Sequence, residues 1–251
     1  MNARDVNPLM DRLAERLGQR TGLERVEDAL RTLGGGPAAA PTVDHHEPTR
    51  LFFPGLTARP WHDRDAFAWV PAVERATAEI RSELGRLLAG QTPFFPYEDP
   101  YTLELGWRGW DTVTLVRKGK LHPENAAACP RTVAVLERTP MAVRQGMFSR
   151  LKPGAHLEPH TGGVNVVLTC HLPLIVPAGC GLRVGSETRC WREGEVTVFD
   201  DGFVHEAWNR GDAERVVLLW DIWHPDLSEV EVAALRLLFP RIDRMLRALA
   251  A

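Results

Sequence analysis

Apolar residues recur every three or four positions in four parts of the chain, which is the spacing of one face of an α-helix. Residues 7–33 show this pattern first and predict one or two amphipathic helices. Residues 71–88 and 124–136 predict two more, the second interrupted near Pro130. The pattern returns at about residue 228 and predicts a C-terminal helix.

The pattern changes after Gly146 to short alternating or β-branched runs separated by glycine- and proline-containing turns. Turns that recur every 8–12 residues or so are typical of an antiparallel sandwich or barrel. The chain is therefore predicted to be α+β, with helices first and a closed β half after them. The strands predicted in this half are residues 148–151, 166–176, 182–184, 196–199 and 215–223, and one more is predicted before it at 112–116.

A stretch rich in glycine, proline and alanine separates the first helical pattern from the rest of the chain. It predicts a linker at 34–50 between an N-terminal helical extension, 1–33, and a main domain, 51–251. The extension is too short to enclose a core of its own. We expect it to pack on the main domain or on a second subunit, and the latter arrangement would make a homodimer.

Composition excludes several classes of protein. The chain has 251 residues, 44% of them hydrophobic and 25% charged, which excludes wholesale disorder. A net charge of −3 without a basic run argues against nucleic-acid binding, and no apolar stretch approaches the roughly 20 residues of a membrane span. Four cysteines without a CxxC pair do not indicate a disulfide scaffold. With no apolar signal core at the start, these features predict a cytoplasmic protein.

Four of the nine histidines lie in the β half, and two of them flank turns. His160 opens one turn, and His205 follows another 45 positions later, far enough for hairpins to bring the two together. Imidazoles suit zinc, iron, copper and nickel, but the usual carboxylate ligand two residues after the first histidine is replaced by Gly162. Spacing alone does not decide between a metal site and a structural role for these histidines.

Arg215 begins an otherwise apolar predicted strand, ten residues after His205. A buried arginine is costly unless it meets an anion. One interpretation is an internal partner, either Asp221 or Glu206. The other is a clamp for the carboxylate of a co-substrate, and two histidines with an inward arginine are what a 2-oxoglutarate-dependent dioxygenase needs.

Several motifs, in order from about residue 51 to 227, resemble those of the aspartyl/asparaginyl β-hydroxylase family. They are residues 54–61, 129–132, 153–162, 187–191, 199–208 and 221–227. The resemblance implies a double-stranded β-helix, a jelly-roll or cupin-like core with flanking helices. It also implies an enzyme that uses Fe(II), 2-oxoglutarate and O₂ to hydroxylate an unactivated carbon.

The same resemblance implies roles for individual residues. His160 and His205 correspond to the iron ligands of a family that binds iron without a carboxylate. The residues that correspond to its 2-oxoglutarate site are Ser149, His171 and Arg215. Asp201 corresponds to a carboxylate near iron-bound water.

The implied substrate differs from that of the aspartate-directed members, which carry arginines where this chain has Val167 and Thr169. Arg144 and Arg150 are interpreted as surface charges. We therefore expect an amino acid, an amino-acid residue or a small peptide rather than an acidic side chain. The alternatives are halogenation on the same scaffold, another small molecule or an acyl chain, and, in a different class, a cupin-like isomerase or metal-binding protein.

Overall fold

The structure, a computed structural model, describes residues 3–33, 43–90, 92–97 and 107–249. The α-helices are α1 (Ala3–Leu17), α2 (Glu24–Thr32), α3 (Val70–Arg75), α4 (Thr77–Ala89), α5 (Pro123–Ala128), α6 (Pro130–Leu136) and α7 (Glu229–Leu249). The strands are β1 (Trp61–His62), β2 (Phe95–Pro96), β3 (Trp110–Arg117), β4 (Lys120–Leu121), β5 (Met141–Leu151), β6 (His156–His160), β7 (Val167–Ile175), β8 (Cys180–Val184), β9 (Glu187–Arg189), β10 (Thr197–Phe199), β11 (His205–Asn209) and β12 (Arg215–Trp223). A 3₁₀ helix covers Arg64–Ala66.

The described strands form two antiparallel sheets that face each other. The larger has the order β1-β10-β7-β12-β5-β3-β2, with β4 paired to β3, and the smaller has the order β6-β11-β8-β9. Chain neighbours such as β7 and β8 lie in different sheets, which is the winding of a double-stranded β-helix. The prediction of an α+β protein with this core and flanking helices is confirmed.

Strand β12 is buried along its whole length because both of its faces are covered. Its even-numbered residues, such as Trp220, pack with the helices outside the larger sheet, notably α4 and α6. Its odd-numbered residues, such as Val217, face the space between the two sheets, called the interior below. Alternation along the strand therefore turns Arg215 and Asp221 inward.

The N-terminal helices pack on the main body, against α7 and the end of β12. Arg25 of α2 fastens them: its Nε and Nη2 donate to the Glu231 carboxylate at 2.8 and 2.6 Å, and Nη2 also donates to the carbonyl of Asp226 at 2.9 Å. Of the predicted linker, residues 34–42 lie outside the described part of the chain. Residues 43–50 lie against the main body. Among the described residues, no helix is long and apolar enough to cross a bilayer.

Candidate active site

His160 and His205 are direct neighbours across two paired strands. His160 ends β6, His205 begins β11, and the two are partners in the antiparallel register. Their ring centroids lie 4.1 Å apart. The turns predicted beside them are the points at which these two strands end and begin.

Each of the two imidazoles is oriented by a carbonyl of its own strand segment. The Nδ1 of His160 lies 2.7 Å from the carbonyl oxygen of Glu158, and the Nδ1 of His205 lies 2.8 Å from that of Phe203. A carbonyl oxygen only accepts, so each Nδ1 carries the proton and each Nε2 keeps its lone pair. No described side chain hydrogen-bonds to the Nε2 of either histidine, which leaves two nitrogen donors for a metal.

Both histidines are neutral at pH 7, the form that binds metals. Burial, together with the neighbouring His205, lowers the pKa of His160 to about 3. Burial lowers the pKa of His205 to about 4. Among the described residues, no group of three or more His, Cys, Asp or Glu side chains is arranged to hold a metal. The two histidines are therefore the donors that this part of the chain offers.

The carboxylate of Asp201 occupies the space in which a side chain at position 162 would lie. A Cβ on Gly162 would be 2.4 Å from Asp201 Cγ and Oδ1 and 2.6 Å from Oδ2. The two residues are also joined by a 2.5 Å bond from Gly162 N to Asp201 O. Asp201 Oδ1 is buried without a hydrogen-bond partner among the described residues. The lack of a side chain at Gly162 thus leaves room for the carboxylate of Asp201, which lies in the connection between β10 and β11.

Gly162→Ala is expected to lower turnover between about 10- and 100-fold, the usual cost of disturbing a group next to a metal ligand. The new methyl group displaces the Asp201 carboxylate, which can rotate away, so the melting temperature should change little. For the 2-oxoglutarate-dependent reaction that the sequence analysis expects, succinate formation measures the first effect, and thermal unfolding measures the second. Turnover of the variant at the wild-type rate would show that the position of Asp201 is unimportant.

Arg144 lies beside the site, so its interpretation as a surface charge is wrong. Its Nη1 lies 3.5 Å from Asp201 Oδ2, and its Nε lies 3.4 Å from Oδ2 of the fully buried Asp221. Although burial opposes its charge, these two carboxylates raise the pKa of Arg144. Thr169 Oγ1 donates to Asp221 at 3.2 Å, and burial raises the pKa of Asp221 to about 6.

A register shift explains why strand alternation misplaces Arg144. The pairing of β12 with β5 is irregular between Trp220 and Ile222. The start of β5 therefore does not continue the side-chain alternation of the rest of the strand, and Arg144 faces the site. Arg150, in the regular part of β5, is not a surface charge either: its side chain is 17% exposed and pairs with Asp111 at 2.8 Å and Glu214 at 3.3 Å.

Arg215 is 2% exposed and has no anionic partner among the described residues. Its Nε and Nη1 are buried without hydrogen bonds, and its guanidinium lies 4.7 Å from the ring centroid of Trp191. Burial lowers the pKa of Arg215 to about 10, which still leaves it charged at pH 7. The internal partners considered for it are engaged elsewhere: Asp221 with Arg144, and Glu206 with Arg183 and His156.

His171 adds a second unpaired donor near Arg215. The indole of Trp191 donates to its Nδ1 at 3.1 Å, so the proton of a neutral His171 lies on Nε2. Burial, followed by the charge of Arg215, holds the pKa of His171 well below its usual value, and the ring stays neutral. Its Nε2 is buried without a partner among the described residues.

Ser149, 1% exposed, accepts a 2.9 Å hydrogen bond from the indole of Trp110. Its own hydroxyl proton has no acceptor among the described residues. Phe199 connects this end of the interior to the histidine pair, because its ring lies 5.1 Å from His171 and 5.8 Å from His205, centroid to centroid. The structure therefore brings the predicted metal and co-substrate residues into one interior.

Two other histidines of the motifs lie away from the site. His156 lies on the outer face of the smaller sheet and pairs with Glu206 at 2.7 Å. His224 accepts from the backbone N of Asp226 at 3.1 Å and lies 3.3 Å from the Thr57 carbonyl. A buried histidine that the sequence analysis did not single out, His46, contacts the turn that carries Asp201. Its position in a predicted linker gave no local indication of this.

Comparison with known proteins places this site in a family context. Residues 74–225 match the family model described as Aspartyl/Asparaginyl beta-hydroxylase. The chain is 33% identical over 235 residues to the human aspartate beta-hydroxylase domain-containing protein 2, covering 87% of this chain and 61% of that protein. It is 36% identical over 186 residues to the ornithine lipid ester-linked acyl 2-hydroxylase of Rhizobium tropici, covering 71% and 66%.

Among solved structures, a prolyl-4-hydroxylase from Pseudomonas putida matches with a TM-score of 0.39 and 16% identity, covering 61% of this chain and 98% of that one. The chain spans about three fifths of the length of the human relative.

Proposed function

This chain belongs to the aspartyl/asparaginyl β-hydroxylase family, and from that premise we propose that it is a hydroxylase dependent on Fe(II), 2-oxoglutarate and O₂. One observation carries the proposal. The guanidinium of Arg215, buried without an anionic partner among the described residues, lies in the same interior as the Nε2 atoms of His160 and His205. A metal would bind to the two imidazoles, and a dicarboxylate would supply the anion for the guanidinium.

The residues present fit ferrous iron. Neutral imidazoles are suitable iron ligands, and two of them leave positions open for a chelating co-substrate and O₂. When bound, the iron supplies the redox chemistry that divides O₂ between the hydroxylated substrate and the succinate formed, with CO₂, from 2-oxoglutarate.

The side chains of the interior hold and shield the reactants. Arg215 offers its unpaired Nε–H and Nη1–H groups to the distal carboxylate of 2-oxoglutarate, supported by Nε2–H of His171 and the hydroxyl of Ser149. Asp201 offers an acceptor oxygen beside the metal site. The rings of Trp191 and Phe199 exclude water along the path between the two ends.

For the substrate, we propose an amino acid, an amino-acid residue or a small peptide that is hydroxylated at an unactivated carbon. An acidic side chain is not favoured, because Val167 and Thr169 supply no positive charge and Thr169 is bonded to Asp221. An acyl carbon is the second candidate. The similarity to an acyl 2-hydroxylase supports it, as does the apolar interior surface formed by Met147, Val217 and Leu219.

Anaerobic addition of 2-oxoglutarate to the Fe(II)-loaded protein is expected to produce a visible charge-transfer absorption. Aerobic screening of amino acids, peptides and acyl compounds is then expected to reveal succinate formation. A metal-loaded protein with neither absorption nor O₂ consumption would instead be a cupin-like binding protein or isomerase. A chlorinated product in the presence of chloride would indicate a halogenase.

A further inference from the structure

A short segment, residues 45–51 and called the strap below, crosses both turns next to the histidine pair. One turn, 161–163, directly follows His160, and the other, 200–204, directly precedes His205. The backbone bonds run from Glu47 N to Gly202 O (2.8 Å), from Thr49 N to Gly162 O (3.2 Å), from Arg50 N and Leu51 N to Gly163 O (2.8 and 2.9 Å), and from Val204 N to His45 O (2.7 Å). The strap therefore joins the two turns by main-chain bonds.

The side chain of His46 extends from the strap into the second turn. Its Nε2 lies 3.0 Å from Oδ2 of Asp200, a close polar contact that lacks hydrogen-bond geometry, and the two residues are 3% and 1% exposed. The His46 ring also packs on Phe203, with centroids 4.6 Å apart. The other carboxylate oxygen of Asp200 accepts from Gly202 N at 2.8 Å, which closes the turn.

A residue larger than glycine at position 202 would disturb this arrangement. A Cβ at that position would lie 2.9 Å from both Asp200 Oδ1 and His46 Nε2. The turn that His46 and Asp200 hold carries Asp201, whose carboxylate fills the space beside Gly162. His205 follows the same turn, three residues after Gly202. The direction of both side chains thus depends on a turn that is supported from outside by His46.

We propose that His46 is a positioning residue for the metal site, acting through the Asp200 turn on Asp201 and His205. The inference rests on the proposed function, since it concerns affinity for the metal. Without the imidazole, the buried Asp200 carboxylate loses its only close side-chain contact with a nitrogen among the described residues. The turn relaxes to hydrate it, and His205 then presents Nε2 to the metal less well.

The experiment compares four proteins by anaerobic Fe(II) titration in the presence of 2-oxoglutarate and by thermal unfolding of the metal-free protein. His46→Phe, which keeps the ring but removes its nitrogens, is expected to weaken Fe(II) binding by about 10- to 100-fold. His46→Gln keeps a donor near Asp200 and is expected to retain most of the affinity. Arg25→Met breaks the clamp between α2 and Glu231 of α7, which involves neither turn beside the histidines, and is expected to lower the melting temperature while leaving Fe(II) affinity unchanged.

Two outcomes would overturn the proposal: His46→Phe that binds Fe(II) within twofold of wild type, or Arg25→Met that loses affinity to the same degree. If the phenylalanine variant does not fold, Gly202→Ala forces the same two groups apart and carries the same expectation. Failure of the wild-type protein to bind Fe(II) would instead refute the proposed function. The two failures are therefore distinguishable.

Discussion

Replacing Arg215 with methionine is expected to stabilise the metal-free protein and to abolish its response to 2-oxoglutarate. The guanidinium is fully buried, charged and without an anionic partner among the described residues. Exchanging a buried ion pair for apolar side chains of similar volume is often neutral or gains about 1–4 kcal/mol, and an unpaired buried charge has no Coulombic attraction to lose. The same exchange removes the group that receives the distal carboxylate, which costs roughly 2–5 kcal/mol of binding, or about 30-fold to several thousand-fold in affinity.

Thermal unfolding with and without 2-oxoglutarate measures both effects, because a ligand raises the melting temperature only as far as it binds the folded state. Arg150→Met is the matched control: Arg150 is a largely buried arginine of the neighbouring strand, but it is paired with Asp111 and Glu214. We expect that variant to lose stability and keep its response to 2-oxoglutarate. A destabilised Arg215→Met protein that still responds would show that the carboxylate binds elsewhere.

His160→Ala is expected to weaken Fe(II) binding by more than about 100-fold, beyond the range seen when only an outer partner of a ligand is lost. The described residues offer two metal donors here, so the substitution removes half of them. The smaller side chain leaves space next to His205 that is suited to a free imidazole. Added imidazole is therefore expected to restore part of the binding and part of the succinate formation.

His156→Ala is the control for that experiment, because His156 lies on the same strand but on the outer face of the smaller sheet. It is expected to bind Fe(II) as the wild-type protein does. Anaerobic titration followed by visible absorption provides the measurement. Binding by His160→Ala within tenfold of wild type would mean that another residue is the ligand.

Local pattern predicted the strands of the larger sheet much better than those of the smaller one. Seven of the nine residues of β12 are apolar and they lie on both faces, so the run is easily recognised. Strands β6 and β11, which carry the two histidines, were not predicted. β6 is an edge strand that tolerates Pro159, and both expose polar residues such as His156 and Glu206 to solvent. Their short polar sequences resemble the neighbouring turns, so the pattern did not separate them from those turns.

The positions of Arg144 and His46 were beyond local prediction for different reasons. Arg144 faces the site because the β5–β12 register shifts, and register depends on both strands rather than on one. His46 lies in a segment without regular structure, and its partner Asp200 is more than 150 residues away in sequence. Neither periodicity nor composition encodes such a contact.

The sequence by itself determined which chemical groups are available and roughly in which elements: two histidines beside turns, and an arginine on an apolar strand that can only be buried. Only the tertiary structure decided that the two imidazoles meet, that Asp221 pairs with Arg144, and that Arg215 has no anionic partner among the described residues. The reason is physical. Side-chain alternation is a property of one strand, whereas distances and hydrogen-bond partners arise from pairing between segments far apart in the chain.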